Sequence, residues 1–217
     1  MIRVDELRFS SRKTLAVCID VTGRVIVRAP KGYPREKIET FLSQKEDWIV
    51  RHQKVRRENG ICLPERLDGY ALPFLGGELR LCVSDVKRVF LGEQTLYLPA
   101  RDAEKKLVAW LKTQALALLE ERTAFWAGKM GVVYRTVKVS SAKRKWGSCS
   151  ASDEIRYAYR LIYAPTEMID YVVVHELSHV CHKNHSPRFW VEVAAYLPDW
   201  KRRRAWLKAH AALLEIF

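Results

Sequence analysis

The sequence predicts an α+β fold in which a helix carrying an H-E-x-x-H motif packs against a small mixed sheet, preceded by a β-rich N-terminal region. Two observations support this class. Apolar residues alternate over short stretches of the first hundred residues, as in half-buried strands, and they repeat at helical spacing over most of the second half. We therefore expect a β-rich region with one helix over residues 1–100 and a region containing the motif over residues 101–217.

The composition predicts a globular protein with a basic surface. Hydrophobic residues make up 48% of the 217 positions, which excludes a disordered, collagen-like or coiled-coil chain. The 38 Lys and Arg exceed the 25 Asp and Glu, and the net charge of +13 favours polyanions or acidic partners. The absence of a secretory pattern, of a long apolar run and of any C-x-x-C pair predicts a cytoplasmic protein with reduced thiols and no membrane association.

Strands and one helix are predicted in the N-terminal region. The strands cover residues 15–19, 25–27, 79–83 and 95–98. The first two are joined across Thr22-Gly23 as a hairpin would be. A helix is predicted after Pro34, because apolar residues recur at helical spacing as far as Ile49.

The second half is predicted to begin with a long helix and to continue with two strands and further helices. The helix begins near Asp102, a suitable N-cap, and ends at Gly128 or Gly131. Its predicted apolar stripe consists of Leu107, Leu111, Leu118 and Phe125. Residues 132–140 and 155–164 are rich in β-branched and aromatic side chains and predict strands, separated by a turn or irregular edge at 143–150. From Pro165 the pattern is helical almost to the end.

The most specific feature is His175-Glu176-Leu177-Ser178-His179. The three valines just before it favour a strand. In a strand, however, two histidines four residues apart would be too far from each other to share a metal ion, whereas a helix brings them onto one face at a separation that one ion can bridge. The content of His and Glu predicts about 0.01 chance matches to the motif. We therefore predict a Zn²⁺ site with His175 and His179 as ligands, and Glu176 as the base that accepts a proton from a zinc-activated water.

A third ligand is required, and its identity depends on where the helix ends. If the helix continued, His182 would share the face of His175. Ser186-Pro187 is a start signal for a new helix, and Lys183-Asn184 suits the end of the previous one. We therefore predict that the chain folds back and that His185 is the ligand. His182, or an acidic residue such as Glu192 on the next helix, is the alternative.

The sequence resembles the YgjP-like metallopeptidase family, which is related to the SprT-like and WLM zinc proteases among the zincins. The resemblance is carried by the H-E-x-x-H stretch, Asn184-His185-Ser186, Phe189-Trp190 and Trp146-Gly147-Ser148-Cys149-Ser150. It implies a zincin-like catalytic region, a peptide or protein substrate, metal ligation by His175, His179 and His185, and Glu176 as the catalytic carboxylate. One position departs from the family pattern, because Ala158 stands where an asparagine is frequent.

Other residues have two possible interpretations. The stretch around Trp146 is either a rim strand whose backbone could pair with an extended peptide or a packed turn with Trp146 in the core. Cys181 is expected to be a buried thiol away from the site, and Cys149 a small hydrophobe. The basic clusters 143–145 and 201–204 are expected to lie on a solvated surface, with a nucleic-acid groove as the less favoured reading.

Three functions are compatible with these residues. The first is a zinc-dependent metallopeptidase. The second is a metal-dependent nucleoside triphosphate pyrophosphatase, since the basic chain would attract nucleotides and some members of the resembled family are described in this way. The third is a nucleic-acid-associated module with structural zinc. The sequence contains no G-x-x-x-x-G-K-[ST] loop, and structural zinc sites normally have four protein ligands, so the peptidase is preferred.

Overall fold

The computed structural model describes residues 2–19, 23–58 and 66–217, with only the backbone over 55–58, and it confirms the α+β class. Its contacts divide the chain into two compact units, Met1–Leu63 and Pro64–Phe217. The strand Thr95–Pro99, which the sequence analysis assigns to the N-terminal region, packs on the helix Ala103–Met130 within the second of these units.

The first unit is a three-stranded sheet covered by two helices. The strands are β1 (Glu6–Ser10), β2 (Ala16–Ile19) and β3 (Val25–Pro30), and the helices are α1 (Arg35–Gln44) and α2 (Glu46–Glu58). Strand β3 is central, antiparallel to β2 and parallel to β1. Its buried side chains pack with Ile38, Leu42 and Ile49.

The predicted helix and the predicted strand pair of the N-terminal region differ in detail from the structure. The single predicted helix is two helices, because the chain departs from helical geometry at Lys45. Residues 25–27 and most of 15–19 form the predicted antiparallel pair, although Thr22 of the predicted turn lies outside the described residues.

The second unit begins with a four-stranded sheet. Its strands are β4 (Ala71–Phe74), β5 (Gly77–Ser84), β6 (Phe90–Leu91) and β7 (Thr95–Pro99), in the order β4-β5-β7-β6. Leu72, Leu81, Leu96 and Leu98 are fully buried. The backbone N–H of Leu75, just after β4, donates to the carbonyl of Ile162 at 2.9 Å, which ties this sheet to the chain before the motif.

Helix α3 (Ala103–Met130) is the predicted long helix. It ends at Gly131, which has the left-handed φ of 64° that glycine adopts without strain, and Gly128 lies inside it. The buried stripe follows Leu107, Leu111, Ala115 and Leu119. The predicted stripe is therefore wrong in its second half, since Leu118 is only partly buried and Phe125 is 43% exposed.

A second small sheet leads into the motif. It consists of β8 (Thr136–Ser140), β9 (Gly147–Cys149) and β10 (Glu154–Ala158), with β10 central, parallel to β8 and antiparallel to β9. The predicted second strand ends early, because Tyr159–Tyr163 forms a 3₁₀ helix. Buried Arg160 holds this turn by donating to the carbonyls of Ile216 and Ser141.

The C-terminal part of the chain is helical. It consists of the motif helix α4 (Thr166–Cys181), then α5 (Pro187–Tyr196) and α6 (Trp200–Ala209), and a 3₁₀ turn at Ala211–Glu215. Helix α4 packs against α3, β9, α5 and α6. Arg122 of α3 donates two hydrogen bonds of 2.7 Å to Asp170 of α4 and fixes their alignment. Burial on several sides explains why the valine run is helical against its local β preference.

In the described part of the chain, no helix has both the length and the apolar character that crossing a bilayer requires.

Candidate metal centre

Three histidines converge at the C-terminal end of α4. His175 and His179 lie one turn apart on the helix with ring centroids 5.0 Å from each other. His185 lies beyond the helix, and its Nε2 is 3.1 Å from Nε2 of His175. One nitrogen from each ring lies within 4.8 Å of the other two, so the three residues could hold a metal ion. The residues that the sequence predicts as ligands are thus brought together.

The chain reverses between α4 and α5, and this reversal carries His185 back to the cluster. Helix α4 ends at Cys181, and His182 has extended backbone angles of −127° and 98°. Pro187 is the first residue of α5. Between them, the side-chain oxygen of Asn184 accepts a hydrogen bond from the N–H of Ser186 at 3.2 Å. The break that the sequence predicts is therefore present.

The two alternative ligands lie outside the cluster. His182 contributes its backbone carbonyl, which accepts a hydrogen bond of 2.9 Å from Nδ1 of His179. This bond places the proton of a neutral His179 on Nδ1 and leaves Nε2 free as a ligand atom. Glu192 is not part of the group of neighbouring ligand atoms.

Burial favours the neutral, metal-binding form of the two imidazoles on α4. Burial, with smaller contributions from His179 and His185, lowers the pKa of His175 to about 3. Burial also lowers the pKa of His179. Neutral imidazole is the metal-binding form, because its nitrogen lone pair is available. Three histidine side chains at this separation fit a divalent transition metal.

Glu176 is buried beside this cluster and faces β9. It is 4% exposed, its Oε2 has no hydrogen-bond partner, and its carboxyl receives a hydrogen bond from the backbone N–H of Cys149. Burial raises the pKa of Glu176 to about 8, an effect that Lys145 opposes. The carboxyl is thus oriented by one donor while its second oxygen remains available.

Gly147 makes the position of Glu176 possible. A Cβ at Gly147 would lie 2.5 Å from Oε1 and 2.8 Å from Cγ of Glu176, closer than real atoms approach. Sequence reasoning did not assign this role. The available signal was a glycine at the start of a short strand, since a strand glycine often marks a close approach by another group.

Strand β9 forms one edge of its sheet, which corresponds to the rim-strand interpretation of residues 146–150. Trp146 is only partly buried, and its carbonyl accepts a hydrogen bond of 2.8 Å from the N–H of Ala158. Ala158 is itself buried at 1% exposure. The contact between these two segments therefore uses the backbone of Ala158, which is independent of the side chain at that position.

Aromatic residues of α5 support the histidines. Phe189 is fully buried, and its ring centroid lies within 4.9 Å of the centroids of all three imidazoles. Trp190 stacks on His185 at 5.5 Å and on Trp200 at 4.3 Å. These contacts restrict the rotation of the rings and link α5 and α6 to the cluster.

The two cysteines near the motif have no place in the cluster of ligand atoms. Burial raises the pKa of Cys149, so its partly buried thiol is protonated at neutral pH. The prediction that Cys181 is buried is wrong, because this residue, the last of α4, is exposed. Cys62 lies outside the described residues.

Comparisons with known proteins place this geometry in context. A family model described as "YgjP-like, metallopeptidase domain" matches residues 13–210. The curated proteins contain no match. Two solved structures are similar over 41% of this chain. One is the metallopeptidase zymogen abylysin of Pyrococcus abyssi, with 21% identity, a TM-score of 0.39 and 90% of its own chain covered. The other is the zymogen jannalysin of Methanocaldococcus jannaschii, with 18% identity, a TM-score of 0.38 and 92% covered.

Proposed function

This chain belongs to the YgjP-like metallopeptidase family, and we propose that it hydrolyses peptide bonds with a Zn²⁺ ion held by His175, His179 and His185 and with Glu176 as the general base. Membership of the family makes it a hydrolytic enzyme that uses a metal ion and acts on peptides or proteins. The identity of the metal, its ligands and the role of Glu176 are the parts that we propose.

The observation that carries the proposal is the convergence of three imidazoles beside a buried carboxylate. Zinc accepts neutral imidazole nitrogens, and three protein ligands leave a coordination position for water or substrate. When bound, zinc supplies a Lewis acid that makes water more acidic and polarises a carbonyl group. A structural zinc site normally closes its shell with four protein ligands, whereas the cluster in the described residues has three.

Glu176 has the surroundings of a proton carrier. The carboxyl group is oriented by a hydrogen bond from the backbone N–H of Cys149, and its Oε2 has no hydrogen-bond partner among the described residues. Glu176 directly follows His175, and a cation bound at the histidines would favour its ionised form. This carboxylate can accept a proton from the attacking water. The same group can then donate that proton to the nitrogen of the leaving amine, so it returns to its starting state after each cycle.

The edge of β9 offers a way to orient the substrate. An extended peptide can add to the free edge of a sheet through backbone hydrogen bonds, and β9 packs directly against α4. A peptide on this edge would run past Glu176, whose carboxyl already contacts Gly147 and Cys149.

Matched histidine and glutamate variants test the proposal. The zinc content and the rate of casein cleavage are measured for the unmodified protein, Glu176→Gln, His185→Ala and His182→Ala. We expect Glu176→Gln to retain zinc and to lose activity by at least about 100-fold, which is typical when a general base is removed. We expect His185→Ala to lose zinc, and His182→Ala to retain zinc and activity, because only the backbone carbonyl of His182 is used.

The same experiment distinguishes the competing functions. An unchanged rate in Glu176→Gln would remove this residue from the mechanism. Loss of zinc in His182→Ala but not in His185→Ala would show that His182, and not His185, is the third ligand. A panel of nucleoside triphosphates is assayed in parallel. If the activity that depends on Glu176 released pyrophosphate and left peptides intact, the peptidase would be rejected in favour of the pyrophosphatase.

A further inference from the structure

A cavity of about 810 Å³ opens beside His175 and Glu176 in the second unit. Its volume lies within the range of about 300–1,000 Å³ that is common for ligand sites. Its described lining includes five cationic side chains, Arg144, Lys145, Lys201, Arg204 and Lys208. Glu176 is the only carboxylate among these described lining residues. We call this cavity, with its five cationic lining residues, the basic cavity.

One wall of the basic cavity is a single face of α6. Lys201, Arg204 and Lys208 are spaced by three and four residues, so they project from the same side of the helix. The intervening Arg202 and Arg203 have a different role, because both are bonded to Asp199 and Arg202 also pairs with Glu167. Lys201, Arg202 and Arg204 are exposed, as the sequence predicts for this basic cluster, and Arg203 is partly buried.

A second wall comes from the segment before β9. Arg144 and Lys145 precede Trp146 and Gly147, which also line the cavity. Cations of both walls lie near the reacting groups, since His175 and Glu176 line the same cavity. Both walls are thus positively charged next to the position where a peptide bond would be cleaved.

The lining between the two walls is largely apolar. Val172, Leu207 and Leu214 contribute to it, together with Trp146 and Trp200. Trp200 stacks on Trp190, and the guanidinium of Arg204 lies over the Trp190 ring at 5.1 Å. A ligand that fits these surroundings combines negative charges with aliphatic segments.

We propose that the basic cavity binds acidic side chains of the substrate, so that the enzyme prefers peptides with Asp or Glu on one side of the cleaved bond. This inference rests on the proposed function and names the substrate class of the same site. We expect the preference on only one side of the cleaved bond, because the basic cavity lies on one side of the histidine cluster. It is lined by His175 and not by His179 or His185.

A nucleoside triphosphate fits the same surroundings less well. It normally arrives with Mg²⁺, which prefers oxygen ligands such as carboxylates. Glu176 is the one carboxylate in the described lining, and it is already committed beside the histidines. Several Asp or Glu side chains, by contrast, can each approach a separate cation, and their methylene groups can contact the apolar interior.

Cleavage of a peptide library tests the preference. Synthetic peptides are digested with the zinc-loaded protein, and cleavage sites are read by mass spectrometry. The best substrate is then compared with a copy in which each Asp and Glu is replaced by Asn and Gln. We expect kcat/KM to be about tenfold higher for the acidic peptide at low salt, and this ratio to fall as salt screens the charges.

Two charge-reversal variants of equal net charge provide the control. Lys201→Glu/Lys208→Glu reverses two cations of the basic cavity, whereas Lys105→Glu/Lys87→Glu changes two exposed lysines outside its lining. We expect the first variant to lose the preference, so that the ratio of kcat/KM for the acidic peptide to kcat/KM for the neutral copy falls to about one. The second variant is expected to keep both values, because only the overall charge of the protein changes.

The outcomes separate this inference from the proposed function. Cleavage of peptides without enrichment of Asp or Glu would overturn the inference and leave the peptidase intact. Equal loss of preference in both variants would assign the effect to overall charge and also overturn it. If no peptide is cleaved, and pyrophosphate release from nucleoside triphosphates depends on Lys201 and Lys208, then the basic cavity is a nucleotide site and both proposals fail.

Discussion

Gly147 and Glu176 show how a single missing side chain shapes the site. The space that a Cβ would occupy at Gly147 is filled by the Glu176 carboxyl, with Oε1 at 2.5 Å and Cδ at 2.9 Å from the ideal Cβ position. Glu176 is buried, so its carboxyl cannot move freely into solvent. The glycine therefore determines where the proposed base can lie.

We expect Gly147→Ala to reduce peptidase activity by about 100-fold while zinc remains bound, because a shift of about 1 Å in a reacting group has an effect of this size. The free energy of unfolding should fall by about 1–3 kcal/mol, as in other overpacked interiors. Zinc content, kcat and urea denaturation measure the three effects.

Gly128→Ala is the matched control. This glycine lies inside α3, and a Cβ there would meet nothing within 4 Å. The substitution should stabilise the protein by about 1 kcal/mol, since alanine favours the helix, and leave activity unchanged. If Gly147→Ala were as active as Gly128→Ala, the close contact would have no functional role.

At the same residue scale, the sequence predicted the histidines and missed the glycine for a physical reason. The spacing of His175 and His179 has one consequence on a helix, so their proximity could be derived from the chain alone. The fit of Gly147 to Glu176 depends on two distant segments packing together, and no local pattern encodes that distance. The ligand roles of the three histidines remain predictions.

At the scale of secondary-structure elements, the break between α4 and α5 positions His185. Asn184 closes the turn through its side-chain oxygen and the N–H of Ser186. We expect Asn184→Ala to weaken zinc binding about tenfold, as loss of a group that supports a ligand commonly does. Competition with a chelator measures the affinity, and circular dichroism checks that the helices persist.

Asn184→Asp tests whether this hydrogen bond is the cause. The aspartate retains an oxygen acceptor at the same position, so it should restore most of the affinity. If both variants bound zinc as tightly as the unmodified protein, the turn would be held by Ser186 and Pro187 without help from Asn184.

Elements with strong local signals were predictable, and elements without them were not. The proline and serine at the start of α5 and the glycine after α3 are signals that act within a few residues. Strand β1 has mostly exposed residues and forms only because it pairs with β3, 20 residues further along the chain. The 3₁₀ turn at Tyr159–Tyr163 replaces a predicted strand because Arg160 bonds to Ile216 and Ser141, which are distant in sequence.

At the scale of the whole molecule, all residues of the proposed site belong to one of the two compact units. A ligand that binds only the folded form of that unit stabilises it in proportion to its concentration and affinity. Met1–Leu63 has its own sheet, its own covering helices and its own buried cluster. Its stability should therefore be independent of the metal.

Hydrogen exchange of the full chain with and without zinc measures this separation. With free zinc at about 100 times its dissociation constant, the most protected amides of α3 and α4 should exchange about 100-fold more slowly, because the metal adds about 2.7 kcal/mol to the stability of their unit. Amides of β2 and β3 should exchange at the same rate in both conditions. His185→Ala should abolish the zinc effect, which excludes nonspecific binding. Equal slowing in β2, β3 and α4 would mean that the two units unfold together, since a metal held in Pro64–Phe217 can protect the first unit only through shared cooperativity.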